Sequence, residues 1–249
     1  MPSCIDNAHA VTDEEVYKFR EEYLALNRQI DAALSEPHKE RHVVQDGVFN
    51  YEGYLKSKIK ILWIMKEPYD DLNGKGGGWH FSDSSVYKEF EFGRARTTWH
   101  PIIYASYGIL NDFLTFDKMG RISKHNKEVA KVLSHIGYIN IQKLPSLTRE
   151  KTKHSVLIDA FQSTKHLFDM QINLLQPDVV IGANTLPIIF QHLNLKSYRH
   201  KEYSTCTSYV VNSRIYINAK HPAQRRGRAA YVNDIVSAVR DVRNPSAMN

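Results

Sequence analysis

Three short runs made almost only of apolar residues most constrain how this chain can fold. They cover residues 60–65 (Lys-Ile-Leu-Trp-Ile-Met), 138–142 and 178–182. Continuous apolar runs of this length are typical of strands that are buried on both faces. Segments with the helical spacing of apolar residues separate the runs, and this alternation predicts a parallel sheet covered by helices on both sides.

A fourth strand is predicted near the C-terminal end. Residues 209–211 and 215–217 are apolar and flank Asn212-Ser213, which indicates a hairpin or a fourth strand at about 214–218. The fold class that we predict is a three-layer α/β/α sandwich with a central, mainly parallel four-stranded sheet. Helices are predicted at about 12–34, 100–116, 124–136, 152–175, 184–192 and 219–243.

The N-terminal part of the chain differs from the rest. Thr12 and Glu15 have the spacing of a capping box, so a helix is expected to begin there. Residues 36–57 show no period and are interpreted as a connector that crosses the surface. We therefore predict that residues 1–57 pack, as a helix and connector, on a main domain of residues 58–249 and form one structural unit with it.

Cysteine content and hydropathy exclude several classes of protein. Only Cys4 and Cys206 are present, which excludes a disulfide framework, a four-thiolate zinc site and a four-cysteine iron–sulfur cluster. No segment approaches the roughly 18 consecutive apolar residues of a membrane span, and the first ten residues lack a signal peptide's pattern. The GxxxxGK[ST] and GxGxxG motifs are absent. We expect a cytoplasmic monomer with no membrane partner, no metal and no cofactor.

Positive charge is concentrated late in the chain. The net charge is +6, and residues 196–243 hold ten basic side chains against three acidic ones. A basic region on an otherwise balanced protein indicates a surface that faces a polyanion, although solvated charged helices give similar counts. Charge alone therefore leaves both interpretations open.

Polar residues follow three of the four predicted strands. Glu67 follows the first, Asn140 and Lys143 end the second, and His221 follows the last. Singly, each has an ordinary structural explanation, as a cap, a salt-bridge partner or a partner for buried backbone. In parallel sheets, however, ligands bind beyond the carboxyl ends of the strands. The convergence of these residues on one edge predicts a functional site.

Five segments carry a resemblance to a known family. Residues 60–69, ending in Lys-Glu-Pro-Tyr, resemble the first motif of the uracil-DNA glycosylase superfamily, and residues 78–82 (Gly-Trp-His-Phe-Ser) are similar to its glycine-to-Phe-Ser segment. Residues 140–145 and 176–183 resemble the strand that ends in Asn and the strand that follows it. Residues 221–225 correspond to the His-Pro-Ser second motif. Together the segments span most of the chain in the family's order.

The resemblance implies a DNA glycosylase without an iron–sulfur cluster. Base excision needs an anion near the sugar and a hydrogen-bond donor near the departing base, and we assign these catalytic roles to Glu67 and His221. Three residues are expected to bind the base: Asn140 reads its polar edge, Phe81 stacks on its face, and Tyr69 lines the pocket beside pyrimidine C5. The implied partner is duplex or single-stranded DNA that contains uracil or another modified base.

A set of basic residues is expected to hold the DNA. Arg225 and Arg226 follow His221-Pro222, where the family carries the loop that enters the duplex, and are assigned to the wedge. Lys220 and Arg228 are assigned to flanking phosphates, and Lys143 is included in the DNA-binding set.

Alternatives stay open at this stage. Lys66 and Ala223 depart from the family's usual residues, and the glycine-rich loop 73–78 reads as flexible and able to reshape the pocket wall. One alternative is a glycosylase specific for bulky hypermodified phage bases that acts in antiviral defence. Another is a non-catalytic nucleic-acid-binding module of the same fold. A lyase step through Lys66 or Lys143 is permitted by the sequence but not required.

Overall fold

The computed structural model describes residues 10–35, 40–70, 72–83, 96–123, 127–148, 150, 152–195, 198, 200–223 and 227–244. Its helices are α1 (Asp13–Ser35), α2 (Tyr51–Lys56), α3 (Arg96–Leu110), α4 (His154–Leu175), α5 (Leu186–Ile189) and α6 (Arg228–Arg243). Its strands are β1 (Gly47–Val48), β2 (Ile61–Met65), β3 (Ile136–Asn140), β4 (Val179–Ala183), β5 (His200–Glu202), β6 (Cys206–Val211) and β7 (Arg214–Ala219). Short 3-10 helices lie at Leu72–Gly74, Phe116–Lys118 and Val129–His135.

The fold is α/β and is built on one seven-stranded sheet. The strand order is β1-β3-β2-β4-β7-β6-β5. The four central strands are parallel, and they are the four that the sequence predicted. The predicted number of strands is corrected from four to seven, because β1, β6 and β5 pair antiparallel at the edges. Strands of two or three residues, such as β1 and β5, are too short to show a period of two in the sequence.

The β6–β7 connection shows that the hairpin and the fourth parallel strand are both present. Asn212 and Ser213 have positive φ angles of 48° and 68°, as a two-residue type I′ turn requires. Beyond this turn β7 pairs antiparallel with β6 on one side and parallel with β4 on the other.

Alternate side chains of β2 enter two separate hydrophobic clusters. Ile61, Trp63 and Met65 lie in a cluster with residues of α3 and α6, and Leu62 and Ile64 lie in a second cluster with residues of α1, α2 and α4. This alternation is the period of two of a strand whose both faces are covered. Helices therefore pack on each face of β2.

Part of the segment interpreted as a surface connector is in fact buried in the core. Val43, Val44 and Val48 are at most 2% exposed, and Gly47–Val48 forms β1 at the sheet edge. The structure buries Asp46 in the same segment, at 2% exposure. These residues show no hydrophobic period, because the strand among them is only two residues long and its partners are distant in sequence.

Four predicted helices differ in extent from those observed. The helix predicted at about 100–116 is α3, which runs from Arg96 to Leu110. The segment 124–136 contains a 3-10 helix at Val129–His135, and the segment 184–192 contains only the four-residue helix α5. The last helix begins at Arg228, because Gly227 precedes it with a positive φ of 78°. The capping box is confirmed: the Thr12 amide donates to Glu15, and the Glu15 amide donates to the Thr12 hydroxyl. In the part of the chain that the structure describes, no helix has the length and apolar character to cross a membrane.

Candidate active site

The structure brings the three predicted strand-end residues to one edge of the sheet. Asn140 pairs in register with Met65 across β3 and β2, and Glu67 lies two residues beyond Met65. His221 follows β7, which is separated from β2 by β4 alone, so the two strand ends are about 10 Å apart at the usual strand spacing. Asn140 therefore ends a central parallel strand, and Glu67 and His221 lie just beyond two others, at the edge where ligands bind in such sheets.

The side-chain amide of Asn140 is buried, and no side chain or backbone group of the described residues pairs with it. Asn140 is 1% exposed, and neither its Oδ1 nor its Nδ2 has a hydrogen-bond partner among the described residues. Asn140 and Tyr138 are two residues apart in β3, so their side chains lie on the same face of the sheet. Tyr138 packs on this face with the aromatic rings of Phe81 and Trp99. Leaving a buried amide unpaired costs about 1–3 kcal/mol. This amide is therefore suited to bind a planar polar ligand.

The two carboxylate oxygens of Glu67 have different surroundings. Oε1 accepts a hydrogen bond from the hydroxyl of Thr152, which precedes α4. Oε2 is buried, and no described residue donates to it. One oxygen is thus anchored, and the other is available to a ligand or to water.

His221 is held in one tautomer as a neutral donor. Its Nδ1 accepts a hydrogen bond of 3.2 Å from the amide of Ala223, so the neutral ring carries its proton on Nε2. Burial lowers the pKa of His221, and the positive charge of Lys66 lowers it further. At neutral pH the ring therefore offers an Nε2–H without a positive charge.

Phe81 lies in a cluster of aromatic rings beneath the site. Its centroid is 4.8 Å from that of Tyr138, 5.2 Å from that of Phe49 and 5.4 Å from that of Trp79. The ring is only 2% exposed, so stacking on a base stays a prediction. Tyr69, by contrast, is 44% exposed, and its place beside the base also stays a prediction.

The glycine-rich loop is fastened on two sides, although the sequence indicated a flexible loop. Oδ2 of Asp70 accepts hydrogen bonds of 3.0 Å from the Gly77 amide and from the indole nitrogen of Trp79. The His42 amide donates to the Gly76 carbonyl on the other side. Gly77 has a φ of 107°, and a Cβ there would lie 2.1 Å from the His42 carbonyl oxygen, so the position requires glycine.

The assignment of Lys143 to the DNA-binding surface is corrected. Its ammonium lies 3.0 Å from both carboxylate oxygens of Asp46 and 2.7 Å from Oε1 of Gln171, and the residue is 5% exposed. Burial lowers the pKa of Lys143, and the Asp46 carboxylate opposes this shift. A buried, paired ammonium cannot contact a phosphate. Its partner Asp46 lies 97 residues earlier, and no local sequence pattern predicts this ion pair.

The structure describes two of the four other basic residues that were predicted to bind DNA. Lys220 and Arg228 are exposed near the site edge, and the Lys220 ammonium donates to the Ser204 carbonyl. Arg225 and Arg226, the predicted wedge, lie outside the described residues.

The sequence did not identify four further residues at or near the sheet edge that holds Glu67, Asn140 and His221. Asn184 is exposed at the end of β4 with a φ of 60°, between the ends of β2 and β7, and the strand-end rule that identified Glu67 would have found it. The Oε1 of Gln142 is buried without a partner in the described ranges. Asp46 and Thr152 contact the site from distant parts of the chain, and no sequence signal marked them.

Comparison with known proteins leaves the family open. No family model matches the chain, and no curated protein matches it. Within the described ranges, no group of three or more His, Cys, Asp and Glu side chains could hold a metal ion.

Proposed function

We propose that this protein is a DNA glycosylase that flips uracil or another modified base out of DNA and hydrolyses its N-glycosidic bond. The observation that carries the proposal is the buried amide of Asn140, which no described residue pairs and which lies at the same sheet edge as Glu67 and His221. The proposal includes the three-layer α/β/α core of the uracil-DNA glycosylase superfamily, and the helices on each face of β2 support that part.

The proposed reaction assigns one role to each catalytic side chain. The C1′–N bond breaks and its electron pair leaves with the base, while a water oxygen bonds to C1′. Glu67 stabilises the cationic sugar and accepts the proton that the water loses, and His221 donates a hydrogen bond from Nε2 to the base as negative charge builds on it. The released base takes one proton from solvent, and Glu67 returns its proton to solvent.

Asn140 is suited to reading the base. An amide side chain offers one acceptor and two donor hydrogens in a plane, which matches the polar edge of a nucleobase. An extruded base would satisfy the polar atoms that no described residue satisfies. We assign contacts with the phosphate backbone to Lys220 and Arg228, and their exposure supports this assignment.

The test is release of free base and formation of an abasic site. The panel contains single-stranded and duplex DNA carrying uracil, hypoxanthine, thymine mispairs, and hydroxymethylated or glucosylated cytosine. We expect turnover of at least one substrate, loss of turnover in Glu67→Gln, and unchanged turnover in Glu21→Gln, a matched change on the exposed face of α1. Full activity of Glu67→Gln would contradict the assigned mechanism, and DNA binding without any turnover would favour a non-catalytic module.

One observation favours a second candidate, a glycosylase for bulky hypermodified phage bases in antiviral defence. Tyr69, the residue expected to crowd substituents at C5, is 44% exposed. An exposed side chain at this position would leave room for a larger substituent at C5. The same panel decides between the two, because this candidate predicts faster release of glucosylated hydroxymethylcytosine than of uracil.

A further inference from the structure

Thr152 contacts Glu67, and the proposed reaction assigns no role to this contact. Its hydroxyl donates a hydrogen bond to Oε1 of Glu67, across 85 residues of sequence. Thr152 is half-buried, so this hydrogen bond is partly shielded from water.

The place of Thr152 in the chain suggests a different use for its hydroxyl. Threonine near the start of a helix commonly caps the free amides of the first turn. Here α4 begins at His154, the cap residue is Lys153, and the Lys153 side chain makes no capping hydrogen bond. The hydroxyl of Thr152 is directed to Glu67 instead of to the helix.

The contact distinguishes the two oxygens of the carboxylate. The last torsion of a glutamate is broad, so a free carboxylate turns readily and exchanges its oxygens. A donor that holds Oε1 restricts this rotation. Oε2, which is buried and has no partner among the residues described, then keeps a defined position.

We propose that Thr152 is a positioning residue that holds Oε1 of Glu67 so that Oε2 faces the reacting water. The inference rests on the proposed glycosylase function and adds a residue to it. Misplacing a reacting group by about 1 Å costs about 100-fold in rate, so loss of one of the contacts that orient Glu67 is expected to cost about 10- to 100-fold.

The experiment compares two substitutions that differ in the hydroxyl. Thr152→Val removes it and keeps the branched shape, whereas Thr152→Ser keeps it. On the best substrate of the panel, we expect Thr152→Val to lower kcat about 10- to 100-fold with KM changed less than about twofold, because the inferred role of Thr152 is to position Glu67 for the chemical step. Thr152→Ser is expected to keep kcat within about threefold of the unchanged protein.

Two controls separate positioning from general destabilisation. Thr164→Val removes a hydroxyl that bonds within α4, and we expect no change in kcat. The double variant Glu67→Gln/Thr152→Val is expected to be as slow as Glu67→Gln alone, because the two residues act as one unit. If Thr152→Val does not fold, Thr152→Ala provides the same comparison.

The outcomes distinguish the inference from the function on which it rests. If the wild-type protein turns over a substrate and Thr152→Val has the same kcat, the role of Thr152 is overturned. The glycosylase function would then still hold. A Thr152→Ser variant as slow as Thr152→Val, or a fully additive double variant, would have the same two consequences. Absence of turnover by the unchanged protein on the whole panel would overturn the glycosylase function and the role of Thr152 together.

Discussion

The ammonium nitrogen of Lys143 lies 3.0 Å from each carboxylate oxygen of Asp46, and both side chains are at most 4% exposed. Oδ2 of the same carboxylate accepts the backbone amide of Asn140 at 2.6 Å, and Oδ1 accepts the side chain of Gln171 at 3.1 Å. A fully paired buried charge thus anchors the end of β3, next to the side chain proposed to read the base.

Removing the ammonium group of Lys143 should therefore strongly destabilise the folded protein. We expect Lys143→Met to lower the free energy of unfolding by about 3–5 kcal/mol, because it leaves the Asp46 carboxylate buried and uncompensated. Lys220→Met, at an exposed lysine, should change the free energy by less than about 0.5 kcal/mol. Urea denaturation measures both, and similar values for the two variants would contradict the structural role of the pair.

Two buried amides should respond differently to truncation. Asn140→Ala should cost less than about 1 kcal/mol of stability, because its amide makes no hydrogen bond with a described residue, while base release falls about 100-fold. Gln171→Ala should cost about 2–3 kcal/mol, because it removes contacts with both Lys143 and Asp46. A larger stability loss in Asn140→Ala than in Gln171→Ala, measured by urea denaturation, would argue against a ligand-binding role for Asn140.

His221 should make stability depend on pH in the acidic range. Its folded-state pKa is lowered, so below about pH 6.5 the unfolded chain binds more protons at this residue than the folded one does. The contribution of His221 to the free energy of unfolding is thus constant above about pH 6.5. Below about pH 6.5 this contribution makes the folded protein less stable as the pH drops. We expect His221→Gln to show a shallower loss of unfolding free energy between pH 7 and pH 5 than the unchanged protein. Identical slopes in urea titrations at several pH values would contradict the burial of this ring.

The Asp70 carboxylate should control the mobility of the glycine-rich loop. Asp70→Ala removes the acceptor for the Gly77 amide and for the Trp79 indole, so amide exchange across residues 76–79 should become faster. Asp159→Ala, at an exposed position of α4, serves as the control and should leave exchange in the loop unchanged. Hydrogen–deuterium exchange with mass spectrometry reads both variants, and equal protection in the two would show that Asp70 does not fasten the loop.

The β6–β7 turn offers a stabilising substitution. Ser213 has a φ of 68°, where glycine is favoured over residues with a Cβ, and Asn-Gly is a preferred pair in type I′ turns. We expect Ser213→Gly to raise the free energy of unfolding by about 0.5–1 kcal/mol and Ser213→Val to lower it. Thermal denaturation tests the order of the three proteins, and a reversed order would be inconsistent with the turn type.

Local patterns in the sequence determined the central framework. The apolar runs predicted the four parallel strands, because a strand buried on both faces needs consecutive apolar residues. The helix start at Thr12 and the turn at Asn212-Ser213 depend on neighbouring residues only. The sequence predicted the first and indicated the second as one of two alternatives. The strand-end rule also placed Glu67, Asn140 and His221 at one edge, because parallel neighbours end on the same side.

The tertiary structure alone decided which polar side chains are paired. It buried Lys143 against Asp46, directed Thr152 to Glu67, and left the amide of Asn140 without a described partner. The two observed pairs join residues 97 and 85 positions apart. Hydrophobic periodicity reports whether a residue faces the core, but the hydrogen-bond partner of a buried charge depends on which distant segment packs against it.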